Sequence, residues 1–342
     1  MKKFGKMLAV MTAVVMTAGV LTSCVIKNTN PAVRVGDTDM PADEFAYYVY
    51  IQKSQSLQEA GVSTSDESAA KAYWNEKTDG KKNIDIAVDK AVDEAAKLLV
   101  RYNKALEMGV EFTADDESQL ASQIESMKQQ AGGEAAYQNQ LKSLGTTPTA
   151  FESLYKKNMI VNKLTDKLAE DGTIAVTDDE VKDYIKNNYI KAEHILFLTQ
   201  DSNTGEAFDD ETIAQKKQTA EDTLTKIKNG ANFEELMNEL SEDTGLASYP
   251  DGYEFTKGQM VPQFEEAAFA LGENEVSGIV ETSYGYHIIK RLPFEITDEK
   301  INEYKDDAKQ ACQSEKLDKL TDEWKAQTEV KSFKSILKTF KK

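Results

Sequence analysis

The spacing of apolar residues between Ile84 and Leu106 leaves this chain little freedom. Ile84, Val88, Val92, Ala95, Leu99, Tyr102 and Leu106 recur at intervals of three and four, on one face of a long helix that ends near Gly109. A face of that length needs other apolar surfaces against it, so the chain must supply further helices. Phe151, Leu154, Val161, Leu164 and Leu168 form a second stripe. Helix starts are marked in sequence. Thr113-Ala114-Asp115-Asp116 and Thr177-Asp178-Asp179-Glu180 read as capping boxes, and Thr147-Pro148 sets a cap before a first-turn proline. The pattern is helical almost throughout from Pro41 to Ala169, after a short strand at Ala32-Val33-Arg34-Val35 that turns at Gly36-Asp37. Phe45, Tyr47, Tyr48 and Tyr50 are too many aromatics for one narrow stripe. They read first as core, and otherwise as the lining of a groove.

The amino terminus reads as a targeting segment. Lys2, Lys3 and Lys6 precede an uncharged apolar run from Met7 to Leu21, shorter than the roughly 20 residues a membrane span requires. Leu21-Thr22-Ser23-Cys24 resembles a bacterial lipobox, which implies cleavage before Cys24, lipid on its sulfur, and a protein held on the extracytoplasmic face of the cell membrane. The alternative is a plain signal peptide or short anchor with an incidental cysteine. The formal charge of −18 becomes −21 once the three lysines of residues 1–23 are removed, because that segment contains no acid. Such acidity opposes nucleic-acid binding. Once Cys24 is lipidated, Cys312 has no second cysteine to pair with, and two histidines are too few for a Cys/His metal site, so neither metal nor cofactor is expected.

Those two histidines are His194 and His287, 93 positions apart. Each sits in a strand-like run, Lys191-Ala192-Glu193-His194-Ile195-Leu196-Phe197 and Tyr284-Gly285-Tyr286-His287-Ile288-Ile289-Lys290, and neighbouring strands would bring the imidazoles into one site. Between them, Lys257-Gly258-Gln259-Met260-Val261-Pro262-Gln263-Phe264-Glu265-Glu266-Ala267-Ala268-Phe269 reads as a glycine turn followed by an amphipathic helix.

Taken in order with Gly230-Ala231-Asn232-Phe233-Glu234-Glu235-Leu236 and Ser241-Glu242-Asp243, these segments resemble a parvulin-type peptidyl-prolyl isomerase domain, in a chain similar in plan to the PrsA-like foldase lipoproteins. The resemblance implies that His194 and His287 hydrogen-bond each other, that Thr282 fixes a tautomer, and that Asp243 sets the charge near the amide. It also implies that Met260 and Phe264 form the proline pocket, and their spacing of four would put both on one helix face. Tyr253 and Phe255 are expected to close its side. The chain has Tyr249-Pro250-Asp251-Gly252-Tyr253-Glu254-Phe255 where many parvulins have Gly-Gly-Asp-Leu-Gly. Phosphate-directed parvulins carry a basic cluster after the first strand, whereas Thr199 to Asp210 is acidic here, so no phosphate preference is expected.

The tail after Pro293 returns to helix, with one apolar face of Ile301, Tyr304, Ala308 and Cys312 and another of Leu317, Leu320 and Trp324. The expected fold is α+β: a mainly helical chaperone domain built from both chain ends, with an inserted parvulin domain whose small four-stranded antiparallel sheet is flanked by helices. The divisions are a signal peptide at 1–23, a tether at 24–40, a helical domain at 41–176, a linking helix at 177–190, the isomerase at 191–293, and a tail at 294–342 that packs on the helical domain. The function implied is an extracytoplasmic foldase that isomerises X-Pro bonds in unfolded secreted polypeptides, with a second copy of the chain as a further candidate partner. The alternatives are a holdase with an inactive parvulin module, and a solute-binding lipoprotein. The last is disfavoured because strands and helices do not alternate as two α/β lobes require.

Overall fold

Residues 28–63, 66–202 and 204–341 are described by a computed structural model, in which the chain divides into two compact units, 28–175 with 313–341, and 176–312. The segment expected to act in targeting, and Cys24, lie outside the described residues. Among the described residues no helix is long and apolar enough to cross a membrane.

In the first unit a hairpin of β1 (Pro31–Val35) and β2 (Thr38–Pro41) leads into α1 (Ala42–Glu59) and α2 (Glu67–Asn75). A two-residue hairpin, β3 (Lys77–Thr78) and β4 (Lys81–Lys82), precedes the long helix α3 (Asn83–Glu107). Then come α4 (Ala114–Gln130), α5 (Glu134–Ser143) and α6 (Pro148–Glu170). The Thr113 capping box closes with Asp116, and the Thr147 side chain accepts from the Ala150 N–H ahead of α6. Val88, Leu99, Phe151 and Leu154 share one core with Phe45, Tyr47 and Tyr50, and the partly buried Tyr48 packs against it, so these aromatics are core. Leu106 departs from expectation: it is 47% exposed, and Ala105 takes the buried place, since 3.6 residues per turn drifts off a strict three-and-four count.

The second unit opens with α7 (Asp178–Asn188), capped by the Thr177 box, which runs directly into β5 (Tyr189–Leu198). Helices α8 (Asp210–Lys228) and α9 (Phe233–Leu240) follow, then β6 (Tyr253–Thr256), α10 (Pro262–Ala270), β7 (Val276–Glu281), β8 (Gly285–Leu292) and the start of α11 (Asp298–Ala326). The sheet order is β6-β5-β8-β7, antiparallel throughout. Side chains alternate across β5. Ile195 and Phe197 pack with α8 and α9 on one face, whereas Ile190 and Ala192 pack with Phe264 and Ala268 of α10 on the other.

The chain then returns to the first unit, where β9 (Val330–Ser332) pairs with β1, and α12 (Lys334–Leu337) and a 3-10 turn (Lys338–Lys341) bury Leu337 and Phe340 in its core. Leu317, Leu320 and Trp324 pack with Ala105, Leu164 and Leu168, while the Arg101 Nε donates to Thr321 Oγ1 at 2.8 Å. One domain is thus built from both ends of the chain. The dividing point differs from the expected Pro293: residues 294–312 belong to the second unit, as does α7. Phe294, Ile296, Tyr304 and Ala308 cover Val181, Ile185 and Tyr189, apolar residues that the sheet alone leaves open.

Candidate active site

The register of β5 against β8 sets His194 opposite Ile289 and His287 opposite Leu196. The two histidines are therefore diagonal neighbours on one face of the sheet, a separation that long or aromatic side chains bridge. Their Nδ1 atoms are 3.1 Å apart. His287 Nε2 is 2.9 Å from Thr282 Oγ1, which also accepts from the Tyr284 N–H. His194 Nε2 lies 3.2 Å from Asp243 Oδ2.

With neutral imidazoles, one set of tautomers satisfies every contact. The Thr282 hydroxyl donates to His287 Nε2, His287 Nδ1–H donates to His194 Nδ1, and His194 Nε2–H donates to the carboxylate. Burial, and then the neighbouring His194, pushes His287 down to about 3, so it stays neutral. Burial alone would raise the Asp243 carboxyl. Hydrogen bonds from His194, Tyr253 and the Gly245 N–H outweigh it and hold Asp243 well below the usual carboxylate range.

Asp243 reaches this position because residues 241–243 run along β5 beyond the last pair of β6. Leu196 N–H donates to Ser241 Oγ (3.1 Å), Glu242 N–H to the Leu196 carbonyl (2.8 Å), and Leu198 N–H to Glu242 Oε2 (2.8 Å). Lys216 of α8 pairs with the other Glu242 oxygen. Ser241 and Glu242 thus close a strand edge that would otherwise be unpaired. The sequence reading gave them no role, although both stand in its Ser-Glu-Asp segment.

His194 and His287 line a cleft of about 420 Å³, together with Met260, Phe264, Tyr253 and Asp243. The Phe264 ring meets both imidazoles edge-on, at 5.2 and 5.4 Å between centroids. Two expectations need correction. Met260 is in the turn before α10, so it does not share a helix face with Phe264. Pro262 lacks an N–H and occupies the first helical turn, which starts the helix two residues later than the spacing implied. Phe255 does not line the cleft: it is 1% exposed and packs behind Phe264, with ring centroids 6.0 Å apart. Thr282 is also buried and acts from behind His287. Among the described residues no group of three or more His, Cys, Asp or Glu is placed to hold a metal ion.

Residues 179–293 match the PPIC-type PPIASE domain, and residues 1–165 match the SurA-like N-terminal domain. The foldase protein PrsA of Geobacillus sp. (strain WCH70) is 35% identical over 48% of this chain and 58% of its own length. That of Bacillus subtilis (strain 168) is 37% identical over 51% and 54%. The matches thus span little more than half the length of these two curated relatives. The solved foldase protein PrsA of Streptococcus pneumoniae str. Canada MDR_19A aligns over 71% of this chain and 86% of that one, at 19% identity and a TM-score of 0.36. On the sequence matches, the chain is PrsA-like: a SurA-like amino-terminal domain joined to a PPIC-type, that is parvulin-type, peptidyl-prolyl isomerase domain.

Proposed function

We propose that this chain is a membrane-anchored extracytoplasmic foldase that isomerises X-Pro bonds in unfolded secreted polypeptides, with chaperone activity in its helical unit. One observation carries the reading: a hydrogen-bonded imidazole pair faces an apolar niche of Met260 and Phe264 in one cleft. Rotation about X-Pro is slow because amide resonance sets a barrier of about 18–20 kcal/mol. The cleft can lower it without a nucleophile. Met260 and Phe264 hold the proline ring out of water, and the fixed dipoles of His194 and His287 favour the twisted, less delocalised amide over either planar form. His194 and His287 therefore shape the site; no covalent bond forms. Anchoring through Cys24 rests on the lipobox-like sequence alone, and a Cys24→Ala variant that still takes up fatty acid would remove it.

The full chain is expected to accelerate proline-limited refolding of a model protein. In His287→Ala or Met260→Ala that acceleration falls by about tenfold or more, in the range of general active-site losses. Suppressed aggregation with an unaccelerated slow phase would instead mark a holdase. None of the described residues lining the cleft is Lys or Arg. A phosphoserine-proline peptide is accordingly expected to turn over no faster than its serine counterpart.

A further inference from the structure

We propose that Tyr253 and Gly245 are positioning residues: the Tyr253 phenol, admitted by the missing side chain at residue 245, clamps Asp243 and through it fixes His194. The Tyr253 hydroxyl donates to Asp243 Oδ2 at 2.6 Å, the same oxygen that His194 Nε2 approaches at 3.2 Å. The Gly245 N–H holds the other oxygen, Oδ1, at 2.9 Å. Three donors from three segments leave the carboxylate one orientation, and charge-assisted bonds of this kind are the strong ones.

Gly245 is not required for its backbone, because its φ is outside the left-handed region where glycine is favoured. It is required for space. A Cβ there would come within 2.1 Å of the Tyr253 hydroxyl oxygen and 3.3 Å of both its Cζ and Asp243 Oδ1. The placement of Tyr253 follows from β6. Gly252, at φ +93° and with its Cβ position 2.9 Å from the Ala192 carbonyl, lets the strand begin tight against β5. Tyr253 then pairs with Ala192, two residues before His194, so its ring shares the face of that imidazole at 5.7 Å between centroids. The Tyr249 ring, 4.7 Å away, backs it from the rim. Other titratable groups around Asp243 are His287, reached through His194, and Glu242, paired with Lys216.

The rate consequence rests on the isomerase reading; the carboxylate clamp does not. The test uses the full chain with carbonyl-labelled aspartate, as Tyr253→Phe, Gly245→Ala and the double variant. In Tyr253→Phe, which keeps the ring and its packing, Asp243 titrates at a proton concentration about tenfold lower than in the parent. The kcat/KM for an X-Pro peptide falls about fivefold, and its acid limb moves to higher pH. Gly245→Ala reproduces these changes alone but adds little to Tyr253→Phe, since removing the hydroxyl removes the 2.1 Å clash and leaves only approaches of 3.3 Å, which a shift of a few tenths of an ångström relieves. Additive losses in the double variant, or an unmoved Asp243 titration in Tyr253→Phe, would overturn the assignment. A parent without isomerase activity would count against the proposed function, while the titration would still decide the clamp.

Discussion

His287 shows at the residue scale how burial converts an ordinary base into a fixed hydrogen-bond partner. Its folded value near 3 is below the ordinary 6.5, so between those pH values the unfolded chain binds a proton that the folded chain refuses. Its contribution to stability is present above pH 6.5 and lost as pH falls through that window. Asp243 acts in the same sense at lower pH, since its depressed carboxyl stabilises the fold above the usual carboxylate range and ceases to do so in stronger acid. Hydrogen exchange at the amides of 189–198 and 285–292 should show the stability of the parent falling from pH 6.5 to 4. His287→Asn should remove up to about 1.4 kcal/mol per pH unit from that slope. Equal slopes would mean that His287 is not buried neutral. The residues of the site were largely legible in sequence, because His194, His287, Met260 and Phe264 stand in ordered motifs. Depth was not: Tyr253 and Phe255 share one face of β6, and no pattern says that one reaches the cleft while the other sits in the core behind it. Nor could spacing disclose the Tyr253–Asp243 bond, which joins strand β6 to the loop after α9 across the missing side chain of Gly245.

At the scale of elements, the parvulin module is larger than its motifs. Tyr304 stacks on Tyr189 at 4.5 Å, and its hydroxyl donates to Glu254 Oε2 at 2.7 Å, next to Tyr253 in β6. Lys300 also pairs with Glu254. Residues 298–312 therefore secure the strand that carries the cleft wall. Tyr304→Ala in the full chain should destabilise the second unit by about 3 kcal/mol, the usual cost of truncating a packed aromatic, as read by denaturation followed at the β5 and β6 amides; a loss under 1 kcal/mol would make this helix an accessory. Element type was legible where signals are local, as in the Thr113 and Thr177 boxes. The module boundary was not, because the face bearing Tyr304 and Ala308 has the same period whichever unit it covers. The start of α10 was missed for a related reason: Met260 and Phe264 have helical spacing, but Pro262 makes Met260 part of the turn.

For the whole molecule, the sequence carried the closure of the helical unit by the chain end, since the stripe of Leu317, Leu320 and Trp324 needed a partner and found Ala105, Leu164 and Leu168. What it could not carry is how the proposed isomerase and chaperone roles divide between the two units, because no local pattern marks where a client chain would bind. The central claim is that the niche beneath the imidazole pair receives a single pyrrolidine ring. Its most direct test is a nuclear Overhauser measurement on the full chain with an unphosphorylated X-Pro peptide, carrying a labelled methyl at Met260. The account predicts contacts from the proline ring protons to the Met260 methyl and the Phe264 ring, lost in Met260→Ala. Peptide that binds the chain but shows contacts only to residues of the helical unit would contradict it.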